Sequence, residues 1–121
     1  MTNQQKQHQL FMDFSGLKQP NGARPSDIDM FYFGKDGMLI LGEIKHEMGT
    51  FKPGQRGLYQ RLADNYNGDA LVLYITHNQR VEDGADSVDI SKCYVQEYYW
   101  KGKWLVPQKP TTVKHIIDTN S

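Results

Sequence analysis

Asp27-Ile28-Asp29-Met30-Phe31-Tyr32-Phe33-Gly34-Lys35-Asp36-Gly37-Met38-Leu39-Ile40-Leu41-Gly42-Glu43-Ile44-Lys45 decides the fold. The aromatic run that ends at Phe33, bounded by Pro25 and Gly34, reads as a strand. Gly34-Lys35-Asp36-Gly37 reads as a hairpin turn, because Asp-Gly readily supplies the positive φ that tight hairpins need. Met38 to Lys45 returns as a second strand. It is apolar on both faces until its last residues, which predicts a central place in a covered sheet.

On the C-terminal side, a loop from His46 to Lys52 leads to Pro53, a residue suited to the first position of a helix. Leu58 and Leu62, with Tyr59 and Tyr66 beside them, mark an apolar stripe at helical spacing, and Asn67-Gly68 predicts the stop. Ala70 to Thr76 reads as a buried strand, so strand, helix and strand predict a right-handed crossover between parallel strands. Arg80 to Ser91 is an acidic, glycine-containing loop. Cys93 to Tyr99 and Trp104 to Val106 form a strand pair around Lys101-Gly102-Lys103, and Thr112 to Ile117 a short closing helix. On the N-terminal side, Leu10, Phe11 and Phe14 give Thr2 to Gly16 one apolar helical face, and Lys18 to Arg24 is rich in turn residues. The expected architecture is α/β (α+β), a mixed central sheet flanked by helices in a single domain spanning 1–121.

The 121 residues suit one core, and 38% hydrophobic composition supplies it without staples. The single cysteine, Cys93, cannot form an internal disulfide, and it lacks a Cys or His partner at zinc spacing. With no signal-like apolar run at the start, a reducing cytoplasm is the simplest home. No stretch approaches the roughly 20 apolar residues of a membrane span. Fourteen basic and fourteen acidic residues cancel, which counts mildly against tight non-specific binding of nucleic acid.

Alternation along a strand puts Glu43 and Lys45 on one face, about 7 Å apart, and Asp27 and Asp29 on one face of the neighbouring strand. Counted from the turn centre, Asp29 and Glu43 each lie about seven residues out, so the hairpin brings the two carboxylates together with an ammonium beyond them. Such a pair suits Mg²⁺, a hard ion that takes oxygen ligands, and the carbonyl of Ile44 is a further donor. Lys45 is placed to position a water or to stabilise charge on a phosphate. The alternative is plain: Glu-x-Lys arises by chance in about a third of chains this long, and cross-strand ion pairs are common. The apolar run Leu39-Ile40-Leu41, leading straight into these charges, favours a functional site.

These elements resemble the PD-(D/E)xK nuclease superfamily, through Pro25-Ser26-Asp27-Ile28-Asp29 followed by Gly42-Glu43-Ile44-Lys45. The nearer likeness is to virus-type replication-repair nucleases and to Holliday-junction resolvase-like proteins. Gly49-Thr50-Phe51-Lys52-Pro53-Gly54-Gln55 matches the segment that opens the following helix with glutamine, and the likeness covers roughly Leu10 to Thr76. It implies a restriction-endonuclease-like sheet, Mg²⁺ dependence with Mn²⁺ as substitute, and DNA as the substrate. A homodimer and a phage or prophage origin, with a bacterial cytoplasm as the setting, fit the same likeness. By position it implies Asp29 and Glu43 as metal ligands with the Ile44 carbonyl, Lys45 as the catalytic lysine, and Gln55 lining the site. The aspartate falls on Asp27 or Asp29, and Asp29 is preferred because the apolar strand begins immediately after it. Many relatives place a glutamate on the first helix; here Asp13 is the substitute candidate.

Other residues carry weaker signals. Lys52, Arg56 and Arg61 lie on or near the helix after the site and are candidates for phosphate contacts, or simply a solvated face. His46 and Glu47 read as loop residues beside the site. Asp83, Asp86 and Asp89 lack the glycine and closing glutamate of a calcium loop and read as solvated. Tyr98, Tyr99, Trp100 and Trp104 are candidates for base stacking, with core packing the commoner role of such residues. A protein that keeps the nuclease fold but only binds a partner is the rival functional reading.

Overall fold

A computed structural model describes residues 15–21, 28–46 and 51–121. Strand β1, Met30–Phe33, pairs antiparallel with β2, Leu39–His46, in the register Met30↔Gly42 to Phe33↔Leu39. The turn between them has Asp36 at φ 58° and Gly37 at φ 73°, two successive positive values that match the right-handed strand twist. Gly42 lets the pair close: a Cβ there would lie 2.9 Å from the Met30 methyl carbon and 3.1 Å from Ile75 Cδ1.

Helix α1, Pro53–Asn65, follows with proline in its first turn and ends where Tyr66 turns extended. Strand β3, Ala70–His77, then lies parallel to β2 from Leu39↔Ala70 to His46↔His77, as the crossover requires. Strands β4, Tyr94–Trp100, and β5, Lys103–Leu105, complete the order β1-β2-β3-β4-β5 through antiparallel pairings. Their hairpin repeats the first one's device, with Lys101 at φ 48° and Gly102 at φ 85°. Helix α2, Val113–Thr119, is capped by the Thr112 hydroxyl, which accepts from the His115 N–H.

The sheet therefore has two dressed faces. Val72, Tyr74, Leu41 and Tyr99 pack beneath Tyr59 and Ala63 of α1. Ile40, Leu73, Ile75 and Val95 pack beneath Val113 of α2, with Ile116 and Ile117 partly buried there. Ile40, Val72, Leu73 and Ile75 are fully buried, and each contributes about 1.5–3 kcal/mol of apolar burial.

The mixed α/β architecture matches the expectation, and several boundaries differ. β2 has neighbours on both sides, but β3 is the middle strand of the five. His46 belongs to β2 rather than to a loop, because pairing with β3 continues to His46↔His77. There it turns to the face opposite Glu43 and meets the His77 ring edge-on at 5.3 Å. The buried stripe of α1 is Tyr59 and Ala63, whereas Leu58 and Leu62 are exposed. The expected helix over Thr2 to Gly16 lies outside the described residues as far as position 14, and Ser15–Leu17 forms a 3-10 turn. Asp13, Asp27 and Glu47 also lie outside the described residues. Among the described residues no helix is long and apolar enough to cross a membrane.

Candidate active site

Continuing the β1–β2 register by one residue sets Asp29 opposite Glu43, as the hairpin arithmetic predicts. The same row runs on across β3 and β4, since Glu43 pairs with Tyr74 and Tyr74 with Glu97. All of these project toward α1, so the end of the sheet beneath its first turns collects the polar side chains.

Glu43 is 5% exposed, the one charged residue buried in the core among the described residues. A buried carboxylate is costly unless it is hydrogen-bonded, and here three groups meet it. The Tyr59 hydroxyl donates to Oε2 at 2.6 Å, the Gln55 amide donates to Oε1 at 3.1 Å, and the Lys45 ammonium lies 3.4 Å from Oε1. Gln55 is itself aimed: its Oε1 accepts the Lys52 N–H at 3.4 Å, at the N-terminus of α1. With its carbonyl committed to the cap, its amide nitrogen is the end presented to Glu43. Asp29 is more exposed, and its Oδ2 accepts the Ile44 N–H at 2.8 Å. That bond fixes the carboxylate against the edge of β2 and leaves Oδ1 for another ligand.

Of the residues read from the sequence, Glu43, Lys45 and Gln55 come into contact, and Asp29 lies beside them in register, bonded to the Ile44 backbone. At Ile44 the observed link is its N–H to Asp29. Tyr59 is a further member of the site that the sequence pattern does not single out. It reads as part of an apolar stripe, yet it stands four residues after Gln55, one helical turn on, so both face the same carboxylate.

Arg56, a candidate for phosphate contact or for a solvated face, is paired within the fold. Its guanidinium donates to Glu97 at 2.7 Å and lies 4.4 Å from the Trp104 ring centroid, so it knits α1 to β4 and β5. Lys52, the residue capping the start of α1, and Arg61, on the helix, are exposed. Tyr99 and Trp104 are packing residues, their polar ends bonded to Asp64 and Gln60 of α1. Asp83, Asp86 and Asp89 are exposed, as expected of solvated carboxylates.

Tyr74 sits at the centre of the row. Its ring stacks on Phe51 at 4.1 Å and touches those of Tyr59 and Trp104. Its hydroxyl is buried without a hydrogen-bond partner among the described residues. Burial pushes this phenol up to about 12; nearby Glu43 and Glu97 add to the rise and Arg56 opposes it. Cys93 is buried as expected, and burial raises its thiol above the ordinary range.

The donor set suits a hard divalent cation. Asp29, immediately before β1, and Glu43 on β2 are the carboxylates that could hold one, since Mg²⁺ is commonly held by one or two carboxylates together with water and substrate phosphate. Among the described residues no group of three or more His, Cys, Asp or Glu side chains is placed to hold a metal ion. Comparison with family models, curated proteins and solved structures finds no match to this chain.

Proposed function

We propose that the protein is a metal-dependent DNA endonuclease of the PD-(D/E)xK type, hydrolysing phosphodiester bonds and directed to branched or otherwise structured DNA. The observation that carries this reading is buried Glu43 held by Gln55, Tyr59 and Lys45, with Asp29 in register beside it and bonded to the Ile44 N–H. A purely structural ion pair needs none of that orientation.

In this reading Asp29 and Glu43 hold Mg²⁺ or Mn²⁺, with the Ile44 carbonyl as a further donor. When bound, such an ion lowers the pKa of water and offsets phosphate charge. Lys45, about one third exposed, reaches from Glu43 toward solvent and stabilises charge on the scissile phosphate. Gln55 and Tyr59 hold Glu43 in one orientation, so it need not reorganise during reaction. Lys52 and Arg61 offer phosphate contacts along α1. A homodimer and a bacterial cytoplasmic setting, in a phage or prophage context, belong to the same reading.

Titration with Mn²⁺ by calorimetry, alongside cleavage of linear and branched DNA, tests it. Wild type is expected to bind the ion and cut; Glu43→Gln should lose both, and Lys45→Ala should keep ion binding while losing cleavage. A folded wild type that neither binds Mn²⁺ nor cuts any DNA or RNA substrate would sink the proposal.

A second reading, a non-catalytic binding protein on the nuclease fold, is favoured by one feature. Phe31 and Phe33 on edge strand β1 are 65% and 59% exposed, with Leu58 and Leu62 also exposed on α1. A protein partner suits such a surface. The Mn²⁺ titration separates the two readings.

A further inference from the structure

The face of the sheet turned away from Glu43 carries a cavity of about 960 Å³ beside α2, large enough for a small-molecule ligand. Its base is apolar, formed by Leu71, Leu73 and Val95, all buried. Tyr98 and Trp100 of β4 add two half-buried aromatic rings to the lining. The Lys101 ammonium lies 5.2 Å from the Trp100 ring centroid, so that ring is held from one side. Neither the indole N–H of Trp100 nor the hydroxyl of Tyr98 has a hydrogen-bond partner among the described residues. Three groups that carry or can accept positive charge, Lys35, Lys109 and His115, come to the rim from three different segments. Lys35 is positioned by donating to the Thr119 carbonyl at 3.2 Å, while Lys109 and His115 make no side-chain ion pair among the described residues.

An apolar base, aromatic walls with unused donors and a rim that includes Lys35, Lys109 and His115 describe a ligand with a flat body and an anionic end. Asp36 and Asp69 also line the cavity and offer acceptors for amino groups on such a body. We propose that this cavity is a binding site for a purine nucleoside monophosphate. The base lies against Tyr98 and Trp100, its amino group faces the carboxylates, and the phosphate meets Lys109 and His115. The site is separate from the Asp29–Glu43 pair, and this assignment does not depend on nuclease activity.

Calorimetric titration of the whole protein in chelator, with AMP, adenosine and inorganic phosphate as probes, tests it. AMP is expected to bind saturably with one site per chain, adenosine and phosphate each at least about tenfold more weakly. Lys109→Glu, at an exposed position that leaves the core untouched, should weaken AMP by about tenfold or more, as should Tyr98→Ala. Glu43→Gln should leave AMP binding unchanged. No AMP binding at millimolar concentration, equal binding of adenosine or phosphate, or AMP binding indifferent to Lys109→Glu and Tyr98→Ala would overturn the assignment.

Discussion

Removing the Tyr59 hydroxyl takes one of three donors from a carboxylate that is almost wholly shielded from water. Tyr59→Phe is therefore expected to lower unfolding free energy by about 1–3 kcal/mol in urea melts, the cost of an under-satisfied buried acceptor. Tyr74 gives the opposite case, because its buried hydroxyl bonds to nothing among the described residues. Tyr74→Phe should leave the melting temperature at neutral pH unchanged or higher. Its effect on pH dependence has a definite sign. The folded state holds the phenolic proton up to about 12, above the ordinary value of 10.0 that applies to the unfolded chain. Below 10 the phenol is protonated in both states and its titration has no effect; between 10 and about 12 the unfolded chain ionises first, so stability is lost as pH rises through that window. Thermal melts across that window should fall less steeply in Tyr74→Phe; identical slopes would refute the assignment. Asp29, Glu43 and Lys45 were legible beforehand because strand alternation and a short hairpin are arithmetic. Arg56 was not: its partner Glu97 lies 41 residues away, and no local pattern records that pairing.

At the level of elements, the face that α1 buries differs from the one its hydropathy predicts. Leu58 and Leu62 look like the core stripe by hydropathy, yet the helix is turned to bury Tyr59 and Ala63. Two demands explain the rotation: the Tyr59 hydroxyl must reach Glu43, and small Ala63 lets the helix settle closely over Ala70 and Val72. Ala63→Leu should consequently cost about 1–3 kcal/mol by overpacking, whereas Leu62→Ser should cost within about 0.5 kcal/mol, both read by chemical denaturation. Gly34 shows a second constraint invisible in sequence. Its neighbour Lys35 donates its N–H to the Asn120 carbonyl at 2.8 Å, so the first hairpin anchors the end of α2. A Cβ on Gly34 would collide with that carbonyl oxygen. Turn chemistry announced the hairpin; only the far end of the chain explains why its first residue has no side chain.

At the scale of the molecule, one sheet separates two environments. The carboxylate row lies under α1, and the cavity lined by Tyr98 and Trp100 lies beside α2. Fully buried Val72, Leu73 and Ile75 form the partition between them. Ligands on the two faces should therefore act independently: Mn²⁺ affinity measured with and without saturating AMP is expected to agree within about twofold, since coupling needs a bistable element between sites. The mixed sheet and its order of elements were readable because hydrophobic runs, Pro53 and the Asp-Gly turn all agree. The cavity was not readable, since its lining is assembled from the hairpin, β3, β4 and α2, which are far apart in sequence.

The parallel pairing of β2 with β3 bears on the order in which the molecule assembles. The β1–β2 hairpin closes over a handful of residues, whereas β2 meets β3 only after a crossover that includes all of α1. Loop closure favours the local contact first. Asp29 and Glu43 are then brought together in a fragment still open to water, before Gln55 and Tyr59 arrive. The costly burial of Glu43 is deferred until its donors descend with the helix. Tyr59→Phe should accordingly speed unfolding while leaving the refolding rate nearly unchanged, a φ-value close to zero in stopped-flow chevrons.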